Sequence, residues 1–469
     1  ILLVLTSPES TKWSKMTFPS LSTDILAVIA PFSLLFSASS WRTASTLLLG
    51  AILCRGKRTV ASILRTLGLE KDTGFSKYHR ILNALAWSPK KASEILLRML
   101  LKLIGNERPV IFIDETLERR KGKKIRDKGY YRDAVRSSKS QVVNTMGLKW
   151  IVMALSVRFG FAKRQFALPF FSVLQPSAKS AEAQGRRYKT AMDWSIQMMK
   201  QLVRWIPRVP FILVGDGGFA CGRLALACFK LNISLVSRLK MNAQLYALPD
   251  PAPRGKRGRK RIKGSRLTSF KDMVTMEGLG WQEAEIVCYS GQKKKVRFLT
   301  NTSMWGGDGF SPLAIRWVLM VDPTGELDPL PLMSTDVNLT AIQMIGLYVD
   351  RWNIEVTFEE VREHLGVETQ RQWSDKAISR TTPILMGLYS IVCLIGRRLY
   401  EATPFMPEKT AWYDKQVVSF SDLLKAVRIA LWKDSSFLRK ERKEAYREIP
   451  LDARDDWQAW LVEMLAKAA

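Results

Sequence analysis

Two short apolar runs, each closed by an aspartate, constrain the fold of this chain more than any other feature. Val110-Ile111-Phe112-Ile113 lies between Pro109 and Asp114-Glu115-Thr116, and Phe211-Ile212-Leu213-Val214-Gly215 runs into Asp216. Both runs are continuously apolar and too short for ordinary helices, so both read as strands buried on two faces. For one strand-end aspartate alone, a turn or cap is the simpler explanation. Two of them ask for a common reason.

Two further strands are expected at Trp150–Val157 and Gln165–Val173, a helix over Ser180–Trp205, a helix over Ala220–Lys230 and a strand over Ile233–Ser237. Three strands, a helix, a strand, a helix and a strand is the order of an RNase H-like mixed sheet, so the fold class is mixed α/β. The chain divides into a helical N-terminal region (1–105), the first part of the core (106–239), a β-rich insertion (240–335), the second part of the core (336–400) and a helical C-terminal region (401–469). The last of these is a candidate dimer surface. Val287-Cys288-Tyr289, Val296–Thr300 and Ile315–Val321 are the strand-like pieces of the insertion, which reads as separate from the core sheet.

A third acid comes from Tyr348–Arg362, Y-V-D-R-W-N-I-E-V-T-F-E-E-V-R. On a single helix, Tyr348, Arg351, Glu355 and Arg362 share one side. Taken alone, the pattern is better explained by surface charge pairing. Beside two strand-end aspartates, Glu355 completes a set of carboxylates suited to hard divalent cations. Asp114, Asp216 and Glu355 are therefore the candidate metal ligands and catalytic acids, for two Mg²⁺ ions with Mn²⁺ as substitute, acting on a phosphodiester. Glu115 faces the other way on a strand. Asp350 lies about 140° round the helix from Glu355. Glu359 is the stronger rival and Glu360 the weaker.

The 73 Lys and Arg against 43 Asp and Glu give a net charge of +30, which a polyanion such as nucleic acid relieves. The tract Arg254–Arg266 holds eight basic residues, three glycines and no acid. Arg257, Arg259 and Lys260 within it are either DNA-backbone contacts or part of a solvated loop, and the overall charge favours the first. Val60, Ile63, Leu64 and Leu67, then Tyr78, Ile81, Leu82 and Leu85, outline two short helices joined through Gly74. They suit a helix-turn-helix with Lys77, Arg80 and Asn83 outward, or a plain helical hairpin. Five cysteines without a C-x-x-C pair point away from disulfides and zinc and toward a reducing compartment, and two histidines are too few for a His-rich metal centre. No membrane span is expected, since the apolar stretch Ile384–Ile395 is closed by Arg397 and Arg398.

The chain resembles the DDE transposases of bacterial insertion sequences, in the group whose third acid lies in a Y-x2-R-x3-E-x6-K signature. Tyr348, Arg351 and Glu355 match in register, with Arg362 at the lysine position, and I-F-I-D-E-T and L-V-G-D-G-G-F resemble the segments of the first two acids. The resemblance covers about Pro109–Tyr400. It implies cut-and-paste transposition: cleavage at terminal inverted repeats, excision through a hairpinned end, and joining of 3′-hydroxyls to target double-stranded DNA. It also implies that Tyr348, Arg351 and Arg362 hold phosphates. Trp317, with Trp305 second, would stack on a flipped base unless it is a core residue. A homodimer on DNA ends and a prokaryotic, nucleoid-associated cytoplasmic setting complete the expectation. Within other classes, a nuclease without strand transfer and a domesticated DNA-binding protein are the alternatives.

Overall fold

The computed structural model describes residues 22–433 apart from 139, 250–260, 288–291, 308, 408 and 413. β1 (Val110–Arg119) lies between β3 (Asn144–Arg158), to which it is antiparallel, and β5 (Ile212–Gly215), to which it is parallel. β4 (Gln165–Gln175) extends the sheet past β3, and β6 (Ser234–Arg238) follows β5 in parallel. The order β4-β3-β1-β5-β6 is the RNase H-like arrangement that the element order predicts. A short β2 (Gly129–Arg132) pairs with the start of β3, ahead of β4.

β1 runs on well past Ile113. Ile111, Phe112 and Ile113 are fully buried, and beyond them Thr116 and Glu118 are buried while Glu115, Leu117 and Arg119 are half-buried. Ile113 is thus where burial on both faces ends, because β5 stops there, and Asp114 lies inside the strand rather than at its end. A polar Asp-Glu-Thr run resembles a turn in sequence, which hid the extension.

The β-rich segment joins the core sheet. After β7 (Leu245–Tyr246), β8 (Gln282–Val287), β9 (Lys293–Gly307) and β10 (Phe310–Val321), strand β11 (Leu330–Ser334) pairs with β6 through Leu332↔Arg238, Met333↔Ser237 and Ser334↔Val236. The result is one sheet of eleven strands, contrary to the separate insertion expected. The fully buried Leu235 and Val236 on β6 require a neighbour at that edge, and Leu332 and Met333 supply it. Pro329 and Pro331 disguise β11 as a turn in sequence.

The N-terminal region forms α1 (Thr23–Ile29), α2 (Ala38–Leu53), α3 (Val60–Thr66), α4 (Ser76–Asn83) and α5 (Pro89–Ile104). The helix expected over Ser180–Trp205 is two helices, α6 (Ala178–Ala183) and α7 (Ala191–Trp205), which a Thr190–Asp193 capping box restarts. α8 (Gly222–Lys230) returns the chain to β6, and α9 (Phe270–Thr275) covers part of the β-rich end. Then come α10 (Ala341–Asp350), α11 (Asn353–Leu365), α12 (Asp375–Ala402) and α13 (Phe420–Lys433). The helix expected beyond Phe437 lies outside the described residues.

α12 is long and apolar enough to cross a membrane, yet 83% of its most apolar window is buried within the protein. It lies against β4, α1, α4, α5, α11 and α13. Its buried Arg380 donates to the carbonyls of Ile81, Leu82, Leu85 and Trp87, fastening the end of α4 to the core. The Ile81 and Leu82 carbonyls lie in the last turn of α4, beyond reach of helical partners, so a guanidinium there satisfies them and complements the helix dipole.

Candidate active site

The register of the parallel strands sets the site. Ile113 pairs with Gly215 and Val214 with Val236, so Asp114, Asp216 and Arg238 stand level on three adjacent strands. Asp216 ends β5 by turning back on the chain: its Oδ1 accepts from the Gly218 N–H at 2.9 Å and opens a 3-10 turn, Gly217–Phe219. Asp114 Oδ1 accepts from the Glu115 N–H at 2.7 Å. Glu115 points to the other face, as its place on the strand predicts, and pairs with Lys149 at 2.5 Å.

Tyr348–Arg362 is two helices rather than one. α10 ends at Asp350 and α11 begins at Asn353, and between them Ile354 N–H bonds to Arg351 C=O and Glu355 N–H to Trp352 C=O, a tightened 3-10-like turn. Arg351 closes this joint. Its Nη1 reaches Asp114 Oδ2 at 3.1 Å and its Nη2 reaches Glu355 Oε1 at 2.7 Å, tying the strand acid to the helix acid. Arg351 is 7% exposed, and its Nε–H is buried without a partner. Such a donor costs about 1–3 kcal/mol. The Tyr348 ring lies 5.5 Å from the guanidinium.

Burial pushes the Asp114 carboxyl up to about 7; Arg351 opposes this, while Asp216 and Glu355 add to it. Burial also raises the Tyr348 hydroxyl, against the pull of Arg351 and Arg238. Asp114, Asp216 and Glu355 offer oxygen donors only, the set that suits hard cations. A guanidinium already placed between two of these acids shows that the position accepts positive charge. Among the described residues, no three carboxylate, imidazole or thiol groups converge on one ion as they stand.

The two rival acids differ in their surroundings. Glu359 is exposed to solvent. Glu360 turns inward to Arg164 at 2.9 Å and to the Tyr389 hydroxyl at 2.6 Å.

Arg362, expected from the resemblance to hold phosphate, is engaged within the protein. Its guanidinium donates to Thr116 Oγ1 at 2.6 Å, Glu368 Oε1 at 3.3 Å, Phe358 C=O at 3.2 Å and Leu117 C=O at 3.4 Å, and so clamps α11 to β1. Trp317 is a core residue, 5% exposed, with Nε1 donating to Ser303 Oγ at 2.9 Å and Phe270 edge-on at 5.3 Å. Trp305, 7% exposed, packs on Phe310. Neither indole offers a face to a base. Lys77 and Arg80 are exposed on α4 as predicted, Lys77 paired with Asp72 at 2.8 Å. Arg257, Arg259 and Lys260 lie outside the described residues.

Residues 31–291 match the family described as DDE superfamily endonuclease. The chain belongs to this family. The match takes in Asp114 and Asp216 of the DDE endonuclease and stops short of Glu355, whose place in the acid set therefore rests on the Arg351 bridge. A solved structure of piggyBac transposase in a synaptic complex with hairpin DNA is 10% identical, covers 97% of this chain and 85% of that one, and superposes with a TM-score of 0.41. No curated protein sequence matches the chain.

Two residues of this DDE endonuclease stand near the acids without a role assigned from sequence, though Trp352 adds to the signature match there. Arg238 is exposed at the end of β6, level with both aspartates; the register that places it there is invisible without pairing. Trp352, between Arg351 and the turn that carries Glu355, is 47% exposed. Its position beside the signature arginine was the available signal.

Proposed function

We propose that this DDE endonuclease is a DNA transposase that cuts the ends of its element and joins the freed 3′-hydroxyls to target DNA. The observation that carries the reading is the buried Arg351 that bridges Asp114 to Glu355, with Asp216 level with Asp114 on the next strand, within a chain of +30 net charge. Asp114, Asp216 and Glu355 would hold two Mg²⁺ ions, with Mn²⁺ as substitute. The ions would activate a water or 3′-hydroxyl and stabilise the leaving oxygen.

The protein's own groups do the positioning. Arg351, Tyr348 and Arg238 surround the acids with donors for phosphate oxygens. Trp352, 47% exposed where Trp317 is buried, is the candidate for contact with an unstacked base. Lys77 and Arg80 on α4 present charge to the DNA backbone, and Arg257, Arg259 and Lys260 are assigned the same role from sequence. Two copies holding two DNA ends, in a prokaryotic cytoplasm, complete the proposal.

The test is a purified-protein reaction with Mg²⁺ and duplexes carrying the sequences that flank the gene, with one arm supplied as pre-cut 3′-hydroxyl ends. Transposition predicts joined product from the pre-cut arm. Cleavage without joining assigns a nuclease instead, and hairpin ends among the products would fix the excision route.

A further inference from the structure

We propose that Arg351 is a bolt on the metal site, filling the cation position while DNA is absent and withdrawing when a phosphate arrives; the inference rests on the three-acid metal reading above. Its guanidinium takes one oxygen each from Asp114 and Glu355, at 3.1 and 2.7 Å. Those are oxygens a divalent ion would need, and the guanidinium's charge repels that ion at the same time. The acids do not now converge on a common ion, and the one residue lodged between two of them is Arg351.

Two features suit this residue to move. Its Nε–H is buried with no acceptor, so the closed position leaves one donor unserved that a phosphate oxygen would satisfy. It also sits at the joint between α10 and α11, where the tightened turn lets the end of α10 shift without unwinding either helix. Tyr348 stands beside it, with Arg238 close enough to act on Tyr348, and both would help draw a phosphate toward the joint. Metal and substrate binding are then coupled: each promotes the other, and the DNA-free enzyme holds little metal with which to cut at random.

The experiment measures Mn²⁺ binding by electron paramagnetic resonance or calorimetry, with and without a duplex oligonucleotide. It compares wild type, Arg351→Gln, Arg351→Ala and the double variant Asp114→Asn/Arg351→Gln. Circular dichroism confirms that each variant is folded; Arg351→Gln keeps a polar side chain in the joint in case Arg351→Ala does not fold. Without DNA, Arg351→Gln should bind Mn²⁺ about tenfold or more tightly than wild type, because a competing charge is gone. Duplex DNA should bring wild type up to the affinity of the variant. The double variant should lose the gain, assigning the ion to the acids rather than to the DNA. Equal DNA-free affinity in wild type and Arg351→Gln would overturn the bolt while leaving the metal centre standing. Absence of acid-dependent Mn²⁺ binding in every arm would overturn the metal centre and the bolt together.

Discussion

Asp114 and Asp216 stand level on adjacent parallel strands, one step beyond the Ile113↔Gly215 pair. Carboxylates so placed repel each other, and the Arg351 guanidinium against Asp114 offsets part of that repulsion. Asp114→Asn, Asp216→Asn and Glu355→Gln should each reduce metal-dependent cleavage by about 1000-fold or more. Duplex binding in a gel-shift assay should stay within about threefold, because the side chains proposed to hold phosphates are others. Glu359→Ala should retain cleavage; its loss, with Glu355→Gln active, would move the third acid to Glu359.

Arg362 occupies the lysine position of the signature but spends its fork on Thr116, Leu117, Phe358 and Glu368. Lysine cannot reproduce that planar set of bonds. Arg362→Lys should lower unfolding stability by about 1–3 kcal/mol in urea titration and leave the salt dependence of DNA binding unchanged. A shallower salt dependence with unaltered stability would restore Arg362 to the phosphate contacts.

Trp352 and Trp317 separate by assay. Trp317→Ala empties a buried site against Phe270 and should cost about 3–5 kcal/mol of stability. Trp352→Ala should melt within about 2 °C of wild type while slowing the processing of DNA ends. Equal activity of Trp352→Ala and wild type on those ends would rule out a stacking role.

Glu118 is 1% exposed and holds four donors: Arg120 at 2.7 Å, and Gln370, Trp150 and Thr382 each at 2.8 Å. It ties β1 to β3 and α12 just beyond the candidate acid Asp114. Glu118→Ala leaves the buried Arg120 charge without its carboxylate, and should cost about 3–5 kcal/mol. Calorimetric melting checks this, and an unchanged melting temperature would show that the network does not carry the fold.

Glu360 carries a carboxyl raised by burial, despite Arg164 and the Tyr389 hydroxyl, with Glu359 raising it further. An acid whose folded value lies above its unfolded value binds more protons when folded, so its contribution improves as pH falls. The stability of wild type minus that of Glu360→Gln should therefore rise as pH falls from neutral through the carboxylate range. A difference that falls over that range would mean the Arg164 pair outweighs burial.

Part of this protein is legible from short stretches of chain. The β1 and β5 runs, the aspartates on them and the order of the core elements follow from chain-local hydrophobicity, and they suffice for the RNase H-like core. The choice of Asp114, Asp216 and Glu355 as candidate acids comes from the same local source, residue type and short spacing. Tertiary structure decided where those groups point. Arg351 meets Asp114 across 237 residues of chain, Arg362 turns to β1, and Trp317 is buried because Phe270 and Ser303 close over it. β11 completes the sheet only because β6 has an apolar edge to cover. A side chain's partners across a sheet or between helices are set by register and packing, and neither is written in the pattern of any single segment.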